Sequence, residues 1–100
     1  MPKIHLSVPH VLGQEEAKKR VSNLLAETRA QFGAQISDVT EAWTGWVDNF
    51  SFRALGFSFQ GKLEVQAAQL IIDIDLPFAA LPFKGRVESE LLSRARQLLA

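Results

Sequence analysis

One hundred residues, 47% of them hydrophobic, are expected to form a single domain spanning 1–100 with its own core, and they exclude a disordered chain. Eleven Lys and Arg balance eleven Asp and Glu, so no net field attracts a polyanion and nucleic acid is not expected as a partner. The absence of cysteine excludes a disulfide framework, a thiolate metal site and a cysteine nucleophile.

Ile4, Leu6 and Val8 alternate with Lys3, His5 and Ser7, which predicts a short half-buried strand ended by Pro9. A helix is predicted from Gly13 to about Phe32. Its apolar stripe comprises Ala17, Val21, Leu24, Leu25, Thr28 and Phe32, and Gly33 is the expected carboxyl-terminal cap. Glu15 and Glu16 fall in its first turn, where the helix dipole favours them.

From Gln35 to Leu76 the period becomes that of strands. Asp48-Asn49 reads as a turn signal. Phe50, Phe52 and Ala54 stand at even positions, whereas Leu55, Phe57, Phe59, Leu63 and Val65 stand at odd ones. A bulge or tight bend is therefore expected near Ala54–Gly56. Gly61 suggests a bulge or a close approach. After a weak turn at Gln66–Gln69, Leu70, Ile72, Ile74 and Leu76 point one way, with Asp73 and Asp75 opposite. A last helix is predicted from about Lys84 to Leu99, with Val87, Leu91, Ala95 and Leu98 inward. The fold class is α+β. The order is strand, helix, a three- or four-strand antiparallel meander, helix, with both helices on one face of the sheet.

Chemistry-bearing patterns are sparse. Asp73 and Asp75 are expected on a solvated sheet face, with Lys62 and Glu64 of the preceding strand as neighbours. His5 and His10 are the only histidines, too few for a zinc site, and read as surface residues. Lys18-Lys19-Arg20 fans around a helix rather than forming a flat patch, beside two glutamates. Neither a Gly-x-Ser-x-Gly elbow nor a phosphate-cradling loop occurs. No catalytic residue, cofactor or metal site is expected, and an enzyme is the least expected class. Trp43 and Trp46, three apart on a predicted strand, should lie on opposite faces, with Trp46 the candidate for a contact surface.

The segment Leu76–Gly85, Leu-Pro-Phe-Ala-Ala-Leu-Pro-Phe-Lys-Gly, is the most informative stretch. Connectors are usually polar because their backbone needs water. Either Phe78, Leu81 and Phe83 tuck under the sheet, or they form an apolar lip flanked by Lys84 and Arg86. Those five residues and Trp46 make up the candidate hydrophobic contact surface.

The same stretch carries a resemblance. Pro2-Lys3-Ile4, Pro9-His10, Leu12-Gly13 with Glu16-Ala17, Phe50-Ser51-Phe52, Gly56, Gly61, Leu76-Pro77-Phe78 and Phe83-Lys84-Gly85 resemble the polyhydroxyalkanoic acid system family. These are small bacterial proteins encoded near genes for polyester storage granules. The resemblance implies a non-enzymatic accessory protein that binds the granule surface, a granule protein or hydroxyalkanoate chains. It brings no catalytic residues. Alternatives are a carrier of a small apolar ligand, held between sheet and terminal helix, and a homodimeric adaptor. Met1 to His5 lacks the apolar core of a signal peptide, and the apolar runs fall far short of the ~20 residues of a spanning helix. A soluble cytoplasmic protein without a transmembrane segment is expected.

Overall fold

The amino-terminal alternation becomes strand β1, Lys3–Pro9, with Ile4 and Val8 buried. The computed structural model describes residues 2–24, 26, 27, 30, 36–54 and 56–100. Helix α1, Gln14–Val21, follows, with Ala17 and Val21 inward. The helical conformation resumes at residue 24, whose leucine is buried in the same core. Leu25, Thr28, Phe32 and the predicted Gly33 cap lie outside the described residues.

Four antiparallel strands then form a meander: β2 Ile36–Thr44, β3 Val47–Ala54, β4 Phe57–Val65 and β5 Gln69–Asp75. β1 adds antiparallel to the outer side of β5, which gives the order β1-β5-β4-β3-β2. The chain continues through a 3-10 segment, Phe78–Phe83, into helix α2, Lys84–Leu99. The architecture is α+β, in the predicted order.

Both helices pack on the face that carries Ile4, Val8, Phe59, Leu63, Leu70, Ile72 and Ile74. α2 lies along β1 and meets α1, with Leu91, Ala95 and Leu99 buried. Val87 and Leu98, also predicted inward, are half-buried against the core. The Arg20 guanidinium donates to the main-chain oxygens of Leu98 (3.4 Å) and Ala100 (2.5 Å), so a cation sits at the negative end of α2.

One local expectation needs correction. The first hairpin turns at Gly45-Trp46, closed by the Thr44–Val47 pair, and Asp48-Asn49 lies within β3. Gly45 has φ +61° and Trp46 has no positive φ, the glycine-first form of a two-residue turn whose twist matches the flanking strands. The parity change after Ala54 is the tight bend of the two expected forms, a full chain reversal closed by the Ala54–Phe57 pair. The irregularity of register sits instead in β2, between Ser37 and Thr40, where Asp38 adopts φ +51°.

Candidate contact ridge and a buried aspartate

In a 3-10 helix, side chains three apart stand one above the other. That periodicity sorts the apolar connector into two faces. Ala80 and Phe83 turn inward: Ala80 is fully buried, and the half-buried Phe83 ring lies 6.0 Å from that of Phe57. Phe78 and Leu81 form the outer ridge, 70% and 44% exposed. The segment is braced rather than loose. Pro77 enters at φ −65°, the Leu76 N–H donates to the Pro2 oxygen (3.0 Å), and the Ala80 N–H donates to the Pro77 oxygen (2.9 Å). The alternatives of a tucked connector and an apolar lip are therefore both realised, on opposite faces of one turn.

The basic flank is uneven. Lys84 is half-buried and pairs with Glu88 at 3.8 Å, whereas Arg86 is exposed. Trp46 is not part of this surface. Phe57, beside Phe83, starts β4, and Val65, whose N–H donates to the Trp46 oxygen, ends it. The length of the strand, about 26 Å, separates the two ends.

Trp46 belongs to a different constellation. The Lys18 ammonium lies 5.0 Å from the Trp43 ring centre and 5.4 Å from that of Trp46, and donates to the Gly45 oxygen at 2.7 Å. Both indoles thus share one cation from α1, whereas the sequence pattern placed them on opposite faces. The shift arises because Trp46 occupies the turn itself.

The same hairpin holds two acids that the sequence reading passed over. Asp48 stands opposite Trp43 on β2 and Leu63 on β4, on the apolar face, and only 2% of it is exposed. Its Oδ1 has no hydrogen-bond partner, an arrangement that costs about 1–3 kcal/mol. Glu41, opposite Phe50, is a cross-strand neighbour of Asp48. Burial, then interaction with the Asp48 carboxyl and its charge, push Glu41 up from 4.5 to about 7, with Trp43 opposing. Glu41 is an exposed residue, so water limits the energetic weight of this shift. The available signal was the parity of β3, since Asp48 shares the even positions of Phe50 and Phe52.

The remaining polar candidates are structural. Asp73 stands between Lys62 and His5, and His5 Nδ1 lies 2.5 Å from its carboxylate. Asp75 stands between Gln60 and Lys3, while Glu64 faces Ile71 rather than an aspartate. His10 is buried, not superficial: Nδ1 accepts the Leu12 N–H (3.2 Å), which leaves Nε2 to donate to the Gln66 oxygen (3.0 Å). Among the described residues, no group of three or more His, Cys, Asp or Glu could hold a metal ion. No helix among them is long and apolar enough to cross a membrane.

This is an antiparallel sheet under two helices, with an outward apolar ridge between the last strand and the last helix. The family model described as "Putative polyhydroxyalkanoic acid system protein" matches residues 4–99, so the chain belongs to that family. No curated protein matches the sequence. A solved structure titled "Crystal structure of Ara h 8.0201" is similar over 98% of this chain and 97% of that one, at 10% identity and a TM-score of 0.44. A likeness of that degree carries no functional argument.

Proposed function

We propose that the chain is a non-enzymatic accessory protein of polyhydroxyalkanoate storage, attaching reversibly to the polyester granule through Phe78 and Leu81. The observation that carries this reading is the presentation of Phe78 on a braced turn, with most of its surface in water. Moving the two side chains onto an apolar surface would contribute about 2–4 kcal/mol before ordering costs. A fixed backbone keeps those costs small. Arg86, exposed on the next turn, suits the polar margin of such a contact. The family supports the link to polyester storage, and the ridge supplies a physical means.

The test is co-sedimentation with purified polyester granules. Phe78→Asp and Leu81→Asp should each abolish binding and leave the circular dichroism spectrum unchanged, because both side chains face solvent. Undiminished binding by the well-folded Phe78→Asp variant would reject the ridge as the contact. Phe83 is unsuitable for this test, since its ring is held against Phe57.

A further inference from the structure

We propose that the β2–β3 hairpin carries a second binding site, separate from the ridge, which takes the hydroxyl end of a hydroxyalkanoate chain. The terminal hydroxyl donates to Asp48 Oδ1, and the apolar body of the chain lies along Trp43 and Trp46. The class of ligand rests on the function proposed above, and the place of the site rests on the hairpin itself.

Asp48 is the starting point. It is almost wholly buried on the apolar face, between Trp43 and Leu63, and its Oδ1 has no partner. A leucine would fill that position without leaving a buried acceptor unmet. Groups that break a local rule in this way concentrate at functional sites, and an acceptor without a donor is met by a ligand that brings one.

The neighbours select what carries the donor. Trp43 stands directly across the ladder from Asp48, which sets their Cβ atoms about 5 Å apart. Trp46, two residues before Asp48, is partly exposed. Lys18 stands over both indoles and is bonded to the Gly45 oxygen. An ammonium ligand would have to displace that lysine from three contacts. A carboxylate ligand would meet Asp48, with Glu41 beside it. A neutral molecule with one hydroxyl and an apolar body avoids both conflicts, and the end of a polyester chain has that form.

Access comes from the β2 side. α2 packs along β1 and α1 over β4. On β2, by contrast, no residue is fully buried, and Val39, Glu41 and Trp43 all retain contact with water. The ridge lies at the other end of β4, so the two contacts are independent.

Both tryptophans of the chain lie at this hairpin, so intrinsic fluorescence reports on the site without a label. Methyl 3-hydroxyhexanoate and methyl hexanoate differ only in the hydroxyl and are the probes. The hydroxy ester should change the emission saturably. The plain ester should bind about tenfold more weakly or worse, because it leaves the buried acceptor unmet. Asp48→Leu should erase the difference between the two esters, whereas Phe78→Asp should preserve it. Equal affinities of the wild type for both esters, or a hydroxyl preference that survives Asp48→Leu, would overturn the site. Neither result bears on granule co-sedimentation by the ridge, so the two proposals fail separately.

Discussion

Phe50 and Gly61 stand opposite each other on β3 and β4, and the ring of one occupies the space that a side chain on the other would need. A Cβ placed on Gly61 would come within 2.5 Å of Phe50 Cζ and 2.8 Å of the Asp73 main-chain oxygen. The ring could turn, but the backbone of β5 could not yield without distorting its ladder. The close fit continues along the aromatic row, where Phe52 stacks on Phe50 at 6.2 Å and on Phe59 at 5.1 Å. Gly61→Ala is therefore expected to destabilise the fold by about 1–3 kcal/mol through overpacking. For a domain of this size that lowers the melting temperature by roughly 5–15 °C. A thermal melt followed by circular dichroism measures it, and a melting temperature unchanged within a degree or two would show that the packing relaxes freely.

At the level of elements, the 3-10 segment separates adhesion from folding, because its two faces respond differently to truncation. Phe83→Ala removes the ring contact with Phe57 and should lower stability by about 1–3 kcal/mol. Phe78→Ala should stay within about 0.5 kcal/mol of wild type, as exposed substitutions do. Urea midpoints for the two variants decide this, and equal midpoints would mean that the two faces do not differ in packing. The elements themselves were largely legible in the sequence. The period-two runs placed β1 and β5, and the apolar stripe placed α2 between the residues where it begins and ends. The connector's apolar residues were visible too, but not their division, because two prolines, two alanines and two phenylalanines do not announce a three-residue period. The first hairpin was misplaced for a specific reason. Asp-Asn favours turns through local hydrogen bonding, yet Gly45 offers the positive φ that a two-residue hairpin turn needs at its first position, and that requirement prevailed. Once the turn moved to Gly45-Trp46, Asp48 fell on the apolar face. The buried aspartate was thus hidden by the same displacement that brought both indoles under Lys18.

For the whole molecule, the question is whether the sheet can extend into a second copy, as a homodimeric adaptor through a sheet edge would require. Its outer strands are β1 and β2, and each carries a feature that opposes edge-to-edge pairing. On β1, Pro9 removes a donor, and the exposed Lys3 and His5 already pair with Asp75 and Asp73 across the ladder to β5. On β2, the slip between Ser37 and Thr40 breaks the regular spacing of main-chain groups, and Asp38 and Glu41 add acids along the strand. Trp46 offers only modest area beyond what Lys18 covers, being 38% exposed. The Phe78–Leu81 ridge is narrow as well: two side chains fall well short of the roughly 800 Å² per partner of a stable interface. The same narrowness suits reversible attachment to a granule, where many molecules share one large surface and each bond can be weak. The chain is therefore expected to be monomeric in solution. Size-exclusion chromatography with light scattering should give a mass near 11.1 kDa across protein concentrations, and it should do so for Phe78→Asp as well. A mass near twice that value, lost in Phe78→Asp, would reassign the ridge from the granule to a second copy of the chain.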